Sequence, residues 1–259
     1  MSTRCANLKA TSDTAFVTLL TSETYVHYAS ALGSSLYDHD PSVDRVCVTT
    51  MRHLHRAPTA WTVCHVTPLF APVALRGRFA DIHTKLSLFS LVQYRRILFL
   101  DADAIATRSL APLLSRPMIH SCIAAADDIK YSTRTFAQNE FNSGVMLIRP
   151  NSSVFSQLIS RLSQYRTKSR GGQHFLSLSF LNASDAPCQR EQLSVSEHGN
   201  LAVFSWRPQS WPTQTPAIVH YTIYKPSRVQ YCTGKYRQWC TLWMHYSNMS
   251  QLDGTFPSL

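Results

Sequence analysis

Short apolar runs alternate with stripes of helical period through the first half of the chain. Ala15 to Leu20 (AFVTLL) is rich in β-formers and predicts a buried strand. Ser22 can cap a following helix whose stripe is Tyr25, Tyr28 or Ala29, Leu32 and Leu36. Arg45 to Thr49 predicts a second strand, and Thr62 to Val66 a third. Thr84 to Tyr94 has helical spacing, with Leu86, Phe89, Leu91 and Val92 inward. Arg96 to Leu100 (RILFL) is the strongest strand signal and ends in Asp101-Ala102-Asp103. Cys122 to Ala126 and Val145 to Ile148 predict further strands. Asn151 or Ser152 caps a helix with Phe155, Leu158, Ile159 and Leu162 on its apolar side. Leu201 to Trp206 and Ile218 to Tyr221 read as extended, Pro208, Pro212 and Pro216 as a loop, and Tyr236 to Tyr246 as a helix.

This alternation predicts an α/β fold, a mostly parallel central sheet flanked by helices. No repeat or linker interrupts it, so 259 residues form a single domain. Residues 15–250 are assigned to that domain, 1–14 to a flexible N-terminus and 251–259 to a tail.

Hydrophobic residues make up 44% of the chain and charged residues 15%, which permits a large core and argues against disorder. The formal net charge of +10 suits either a solvated basic surface or an anionic substrate such as a diphosphate. The basic residues are scattered, without a run, zinc spacing or RNP string, so nucleic acid is not an expected partner. Seven cysteines without a C-x-x-C pair favour reduced thiols, with Cys47 and Cys122 buried in strands. No apolar leader and no long apolar stretch is present, so an integral membrane segment is not expected and a cytoplasmic location is. A trimmed Golgi or ER lumenal domain is the alternative, in which case the sequons at Asn151, Asn182 and Asn248 gain meaning.

Candidate chemistry centres on Asp101 and Asp103. Open α/β sheets bind ligands beyond the carboxyl ends of their strands. Carboxylates at i and i+2 of an extended segment point the same way. Two such oxygens can hold a hard divalent cation, and the cation a diphosphate. A strand-end pair of acids with no ligand is the plainer alternative, but two acids beside a core are costly unless paired or metallated.

Further segments appear in a recognisable order: residues 15–36, TKLSLFSLVQYRRILFLDADAIA (84–106), FNSGVMLIRPNS (141–152), GGQ (171–173) and VHYTIYKP (219–226). Together they resemble the glycogenin-like glycosyltransferases of family 8, which are retaining enzymes of the GT-A fold. The resemblance spans about residues 15–246. It implies a Rossmann-like GT-A domain, a UDP-sugar donor such as UDP-glucose, Mn²⁺ or Mg²⁺, and a hexose transferred to an acceptor that is a glycan, protein, lipid or small molecule. A homodimer is compatible with it, with no interface legible.

Roles implied by the resemblance fall on matching positions. Leu19, Thr21 and Tyr25 match the strand–turn that holds uracil and ribose, with Tyr25 offering a ring to the base. Arg76 and Lys85 match basic donor contacts. Asp101, Asp103 and His220 match the metal ligands, with Ala102 between the two acids at the donor. Asn142 and Ser143 match the sugar-facing turn. Gln173 matches a sugar-binding glutamine, and Lys225 the lysine that grips the leaving diphosphate. Lys225, Gln173 and Asp103 are thereby the implied catalytic residues.

The match departs from the family near the sugar. The usual G-G-D-Q is here Gly171-Gly172-Gln173, so Gly172 replaces a carboxylate. Either another acid substitutes (Asp127 and Asp128 are candidates), the sugar differs, or activity is weak. Ile223 replaces a glycine and Ser227 a tryptophan of the family pattern. No tyrosine lies between Arg166 and His220, which argues against glycogenin-type self-priming on that segment. Two alternatives stand beside the transferase: a degenerate GT-A fold that binds a nucleotide sugar or a partner, and a haloacid-dehalogenase-type phosphatase using Asp101, Asp103 and the Asp127-Asp128 pair.

Overall fold

The computed structural model describes residues 4–72, 82–165, 172–181, 186–227 and 232–247. A seven-stranded sheet has the order β3-β2-β1-β4-β7-β6-β8. Its parallel half comprises β1 (Thr14–Leu20), β2 (Asp44–Thr49), β3 (Thr62–His65) and β4 (Arg96–Leu100). Then β7 (Phe136–Ile148) runs antiparallel between β4 and β6 (Ser121–Ile129), and β8 (Gln189–Gln192) pairs parallel to β6. Only β7 opposes the other strands, so the central sheet is mostly parallel as expected, and a second sheet, β5 (Ala104–Ala106), β10 (Ile218–His220) and β9 (His198–Asn200), completes the α/β architecture.

The apolar runs form strands because both faces of the large sheet are covered. One face packs Phe16, Leu98, Leu100 and Leu147 with α1 (Val26–His39) and α6 (Arg237–Ser247). The other packs Val17, Ile97, Phe99 and Met146 with Leu158 and Leu162 of α3 (Ser152–Gln164) and Phe175 of α4 (Gly172–Leu181). The stripe of α1 is buried at Tyr28, Ala29, Leu32 and Leu36, and Asn151 Oδ1 caps α3 by accepting from Ser153 N and Val154 N.

Four expectations change. Leu201–Trp206 is a helix, α5, because Asn200 Oδ1 accepts from Ala202 N and starts it immediately after β9. The segment Ile82–Ser90 is a 3₁₀ helix ending before Val92, which is exposed, while Leu86, Phe89 and Leu91 are buried. Residues 4–13, within the expected flexible N-terminus 1–14, are packed: Cys5 is buried and Thr11 N donates to Asp44 Oδ2 on β2. Six of the seven cysteines are not thiols: Cys5–Cys64, Cys122–Cys188 and Cys232–Cys240 are disulfides, and Cys47 alone is the buried free thiol expected. Sequence separations of 59, 66 and 8 hide these pairs from a search for close cysteine spacing. Arg76, Asn182, Asn248 and the tail 251–259 lie outside the described residues. No helix among the described residues is long and apolar enough to cross a membrane.

Candidate active site

The two sheets meet at the carboxyl end of β4. Asp101 N donates to Gly144 O at 2.7 Å, which ties the strand end to β7. Three residues on, β5 begins, and its antiparallel register with β10 sets His220 opposite Ala104. Sheet pairing alone therefore brings His220 beside Asp103, more than a hundred residues away in sequence. His220 Nε2 lies 3.4 Å from Asp103 Oδ1 and 3.9 Å from Asp101 Oδ2. The candidate ligand atoms of the three residues all fall within 4.8 Å of one another.

Each carboxylate uses its other oxygen on a lysine. Lys85 Nζ lies 2.7 Å from Asp101 Oδ1 and donates to Ser143 O at 3.1 Å. Lys225 Nζ pairs with Asp103 Oδ2 and donates to Tyr221 O at 2.7 Å. Burial alone would raise the Asp103 carboxyl, but the Lys225 ammonium and His220 hold it well below the usual carboxylate range. Burial would lower Lys225, and Asp103 outweighs that and holds the ammonium charged. One oxygen of each acid and one imidazole nitrogen remain facing each other. That O,O,N donor set fits a hard-to-borderline divalent cation such as Mn²⁺.

Beside the cluster is a cavity of about 270 Å³ lined by Asp101, Asp103, Asp128, Asn142, Gly144, Gln173, Asn200, His220, Thr222 and Lys225, among others. Asp128 forms part of its wall. Its Oδ1 accepts from Asn142 Nδ2 at 2.9 Å and its Oδ2 from Gln173 Nε2 at 2.7 Å. Gln173 Oε1 in turn accepts from Ser143 N at 3.1 Å. Asp127 points elsewhere, to Arg190 and Gln192. A roomier cleft of about 700 Å³ lies at the opposite, amino ends of β1 and β2, lined by Thr11, Asp44, Arg45 and Tyr37. It contains no such cluster, and its position is wrong for an open α/β sheet.

The structure thus gathers Asp101, Asp103, Asn142, Gln173, His220 and Lys225 at one cavity, with Lys85 and Ser143 directly behind them. Ala102 is packed in the core beneath. Leu19, Thr21 and Tyr25 stand at the carboxyl end of β1, outside the cavity's lining. Tyr25 is 41% exposed, with its ring 5.7 Å from that of Tyr28, whose hydroxyl bonds Ser227. Gly144, His198, Asn200 and Thr222 carried no signal of their own in the sequence.

The family model of glycosyl transferase family 8 matches residues 17–226. The chain belongs to that family, and its fold is GT-A. The phosphatase alternative is thereby removed, in agreement with Asp127 being turned away. Similar proteins include inositol phosphorylceramide glucuronosyltransferase 1 of Arabidopsis thaliana, 27% identical over 64% of this chain and 30% of the relative. Glycogenin-1 of Oryctolagus cuniculus is 25% identical over 76% of this chain and 59% of the relative. The chain thus spans less than two thirds of either relative. An active-site mutant of LgtC superposes with TM-score 0.65 at 16% identity, over 94% of this chain and 98% of that one. The glycosyltransferase GlyE of Streptococcus pneumoniae TIGR4 gives 0.64 at 18% identity, over 95% and 60%.

Proposed function

We propose that this domain transfers a hexose from a UDP-linked donor to an acceptor hydroxyl, with retention, in the presence of Mn²⁺ or Mg²⁺. The observation that carries the reading is the facing trio of Asp101 Oδ2, Asp103 Oδ1 and His220 Nε2 beside a cavity with a lysine at its edge. These three residues would hold the cation, which when bound supplies charge neutralisation for the donor's diphosphate. Lys225, released from Asp103, reaches the departing phosphate on its flexible stem. The bond from the anomeric carbon to phosphate oxygen breaks, and the acceptor oxygen bonds to that carbon from the same face. The acceptor's proton goes to the leaving phosphate. Leu19, Thr21, Tyr25 and Arg76 complete the nucleotide end in this reading.

Asp128 takes the place of the acid that Gly172 lacks. Held by two side-chain amides, it offers its remaining lone pairs to sugar hydroxyls. A carboxylate there favours a neutral hexose over a hexuronate. Gly172 motivates the second reading, a nucleotide-sugar-binding fold with little turnover.

Calorimetry with UDP tests the donor site: binding with Mn²⁺ and far weaker binding in chelator are expected, with most affinity lost in Asp103→Asn. Equal affinity with and without the cation refutes the assignment. Release of UDP from UDP-glucose, with and without candidate acceptors, then separates turnover from binding alone.

Three disulfides also support synthesis in an oxidising compartment rather than the cytoplasm. Cys47, whose thiol burial pushes up to about 12, stays inert there.

A further inference from the structure

β9 and β10 run parallel, with His198 opposite Ile218 and Asn200 opposite His220. His198 and His220 are therefore diagonal neighbours on one face of the small sheet. Their rings stack with centroids 5.3 Å apart and 27° between planes, and His198 Nε2 lies 3.1 Å from His220 Nδ1. Both are almost fully buried, at 1% and 3% exposure. A neutral imidazole carries one N–H, so a bond between these two nitrogens fixes the tautomer of both rings together.

His220 Nε2 is the atom that faces the carboxylates. To offer it to a cation as a lone pair, the ring must carry its proton on Nδ1. The atom within reach of that N–H is His198 Nε2. We infer that His198 is a positioning residue for His220, accepting its Nδ1–H and so fixing the ring angle and tautomer that leave Nε2 free for a cation. This inference rests on reading His220 as a cation ligand. His198 then keeps its own proton on Nδ1, a buried atom with no hydrogen-bond partner among the described residues. Without a cation the opposite arrangement fits better. His220 Nε2–H can donate to Asp103 Oδ1 at 3.4 Å, and His198 Nε2–H then donates to His220 Nδ1. Cation binding thus reverses both tautomers with no change in the pair's charge. Metal-bound histidines usually give their second N–H to a carboxylate or carbonyl. A neutral ring in that place keeps a third negative charge away from Asp101 and Asp103.

The test measures free Mn²⁺ by electron paramagnetic resonance, in the presence of UDP, for wild type, His198→Phe and His198→Gln. Phenylalanine keeps the stacked ring and removes the acceptor, whereas glutamine restores an acceptor oxygen. His198→Phe should weaken Mn²⁺ binding on the order of 10-fold or more, and His198→Gln should recover most of that loss. Nitrogen-15 imidazole shifts of the wild type give a second readout. Loaded with diamagnetic Cd²⁺, both His220 and His198 should be protonated on Nδ1; in chelator, both on Nε2. Unchanged affinity in His198→Phe, or equal losses in both variants, overturns the inference. If His198→Phe does not fold, a bare Nδ1 on Cd²⁺-loaded His220 overturns it instead. Wild-type Mn²⁺ affinity in His220→Asn marks a different failure, that of the ligand reading itself.

Discussion

Gly144 is the tightest point of the site, and Gly144→Ala is the most direct probe of its geometry. Its N–H donates to Asn142 Oδ1 at 2.9 Å, and its carbonyl accepts from Asp101 N at 2.7 Å, so the backbone there is held from both sides. A Cβ at this position would overlap His220 Cε1 and stand 2.9 Å from both Asp101 Oδ2 and His220 Nδ1. These neighbours have little room to yield. His220 is 3% exposed and backed by His198, and Asp101 is paired with Lys85. Overpacking of this kind costs about 1–3 kcal/mol. If the strain falls on the metal-ready arrangement, Mn²⁺ affinity in the presence of UDP drops about 5- to 150-fold. If it falls equally on both states, Tm in chelator drops instead, by about 2–4 °C per kcal/mol. Paramagnetic resonance reads the first and thermal unfolding in chelator the second. A variant that matches wild type in both refutes the close approach of β7 to His220.

Lys225→Met leaves the buried Asp103 carboxylate without its ammonium and should cost about 3 kcal/mol in urea unfolding at pH 7 in chelator. Because Asp103 is lowered and Lys225 raised, the difference from wild type should be constant from about pH 5 to 9. It should shrink as pH falls through the lowered carboxyl or rises through the raised ammonium, and a pH-independent difference would refute the pairing. Asp128→Asn can satisfy Asn142 or Gln173 but not both, and should lower turnover of UDP-glucose on the order of 10²-fold while UDP–Mn²⁺ affinity holds. An equal loss of UDP affinity would place Asp128 at the nucleotide instead. Alkylation of the native protein should label none of the seven cysteines, denaturation without reductant should expose one, Cys47, and reduction should expose all seven. More than one reactive thiol before reduction would remove the case for an oxidising compartment.

The strands that could be read from sequence are those whose signal is local. AFVTLL and RILFL are apolar throughout because their sheet is covered on both faces, so burial is written into consecutive residues. The short strands β5, β8 and β9 left no such trace. Three or four residues do not establish a period, and their pairing partners are distant. LAVFSW has the composition of a strand and is a helix, because the deciding contact is one Asn200 cap. Disulfides follow the same logic, since Cys122 and Cys188 meet only through the pairing of β6 with β8. At the site, Asp101, Asp103, His220 and Lys225 were found through motif order, whereas His198 is visible only once β9 lies beside β10.

The choice between Asp127 and Asp128 shows where sequence necessarily stops and geometry begins. Neighbouring residues of a strand face opposite sides, so one of the two had to face the cavity and the other away. Which one does so depends on register against β7, and that register is irregular here. The pairing is irregular between Ala125 and Asp127, opposite the FNSG stretch of β7, and again between Asp127 and Ile129, where the extra residues lie on β7. Bulges re-aim side chains and recur beside active sites. The outcome sends Asp127 to Arg190 and Asp128 to the amides of Asn142 and Gln173. Those two residues belong to the motif segments on either side of the missing acid. A carboxylate of the facing strand thus lines the cavity beside Asp101, Asp103 and His220, where the start of α4 offers none. Loss of one motif letter in such a site therefore says little about activity until the wall opposite has been placed.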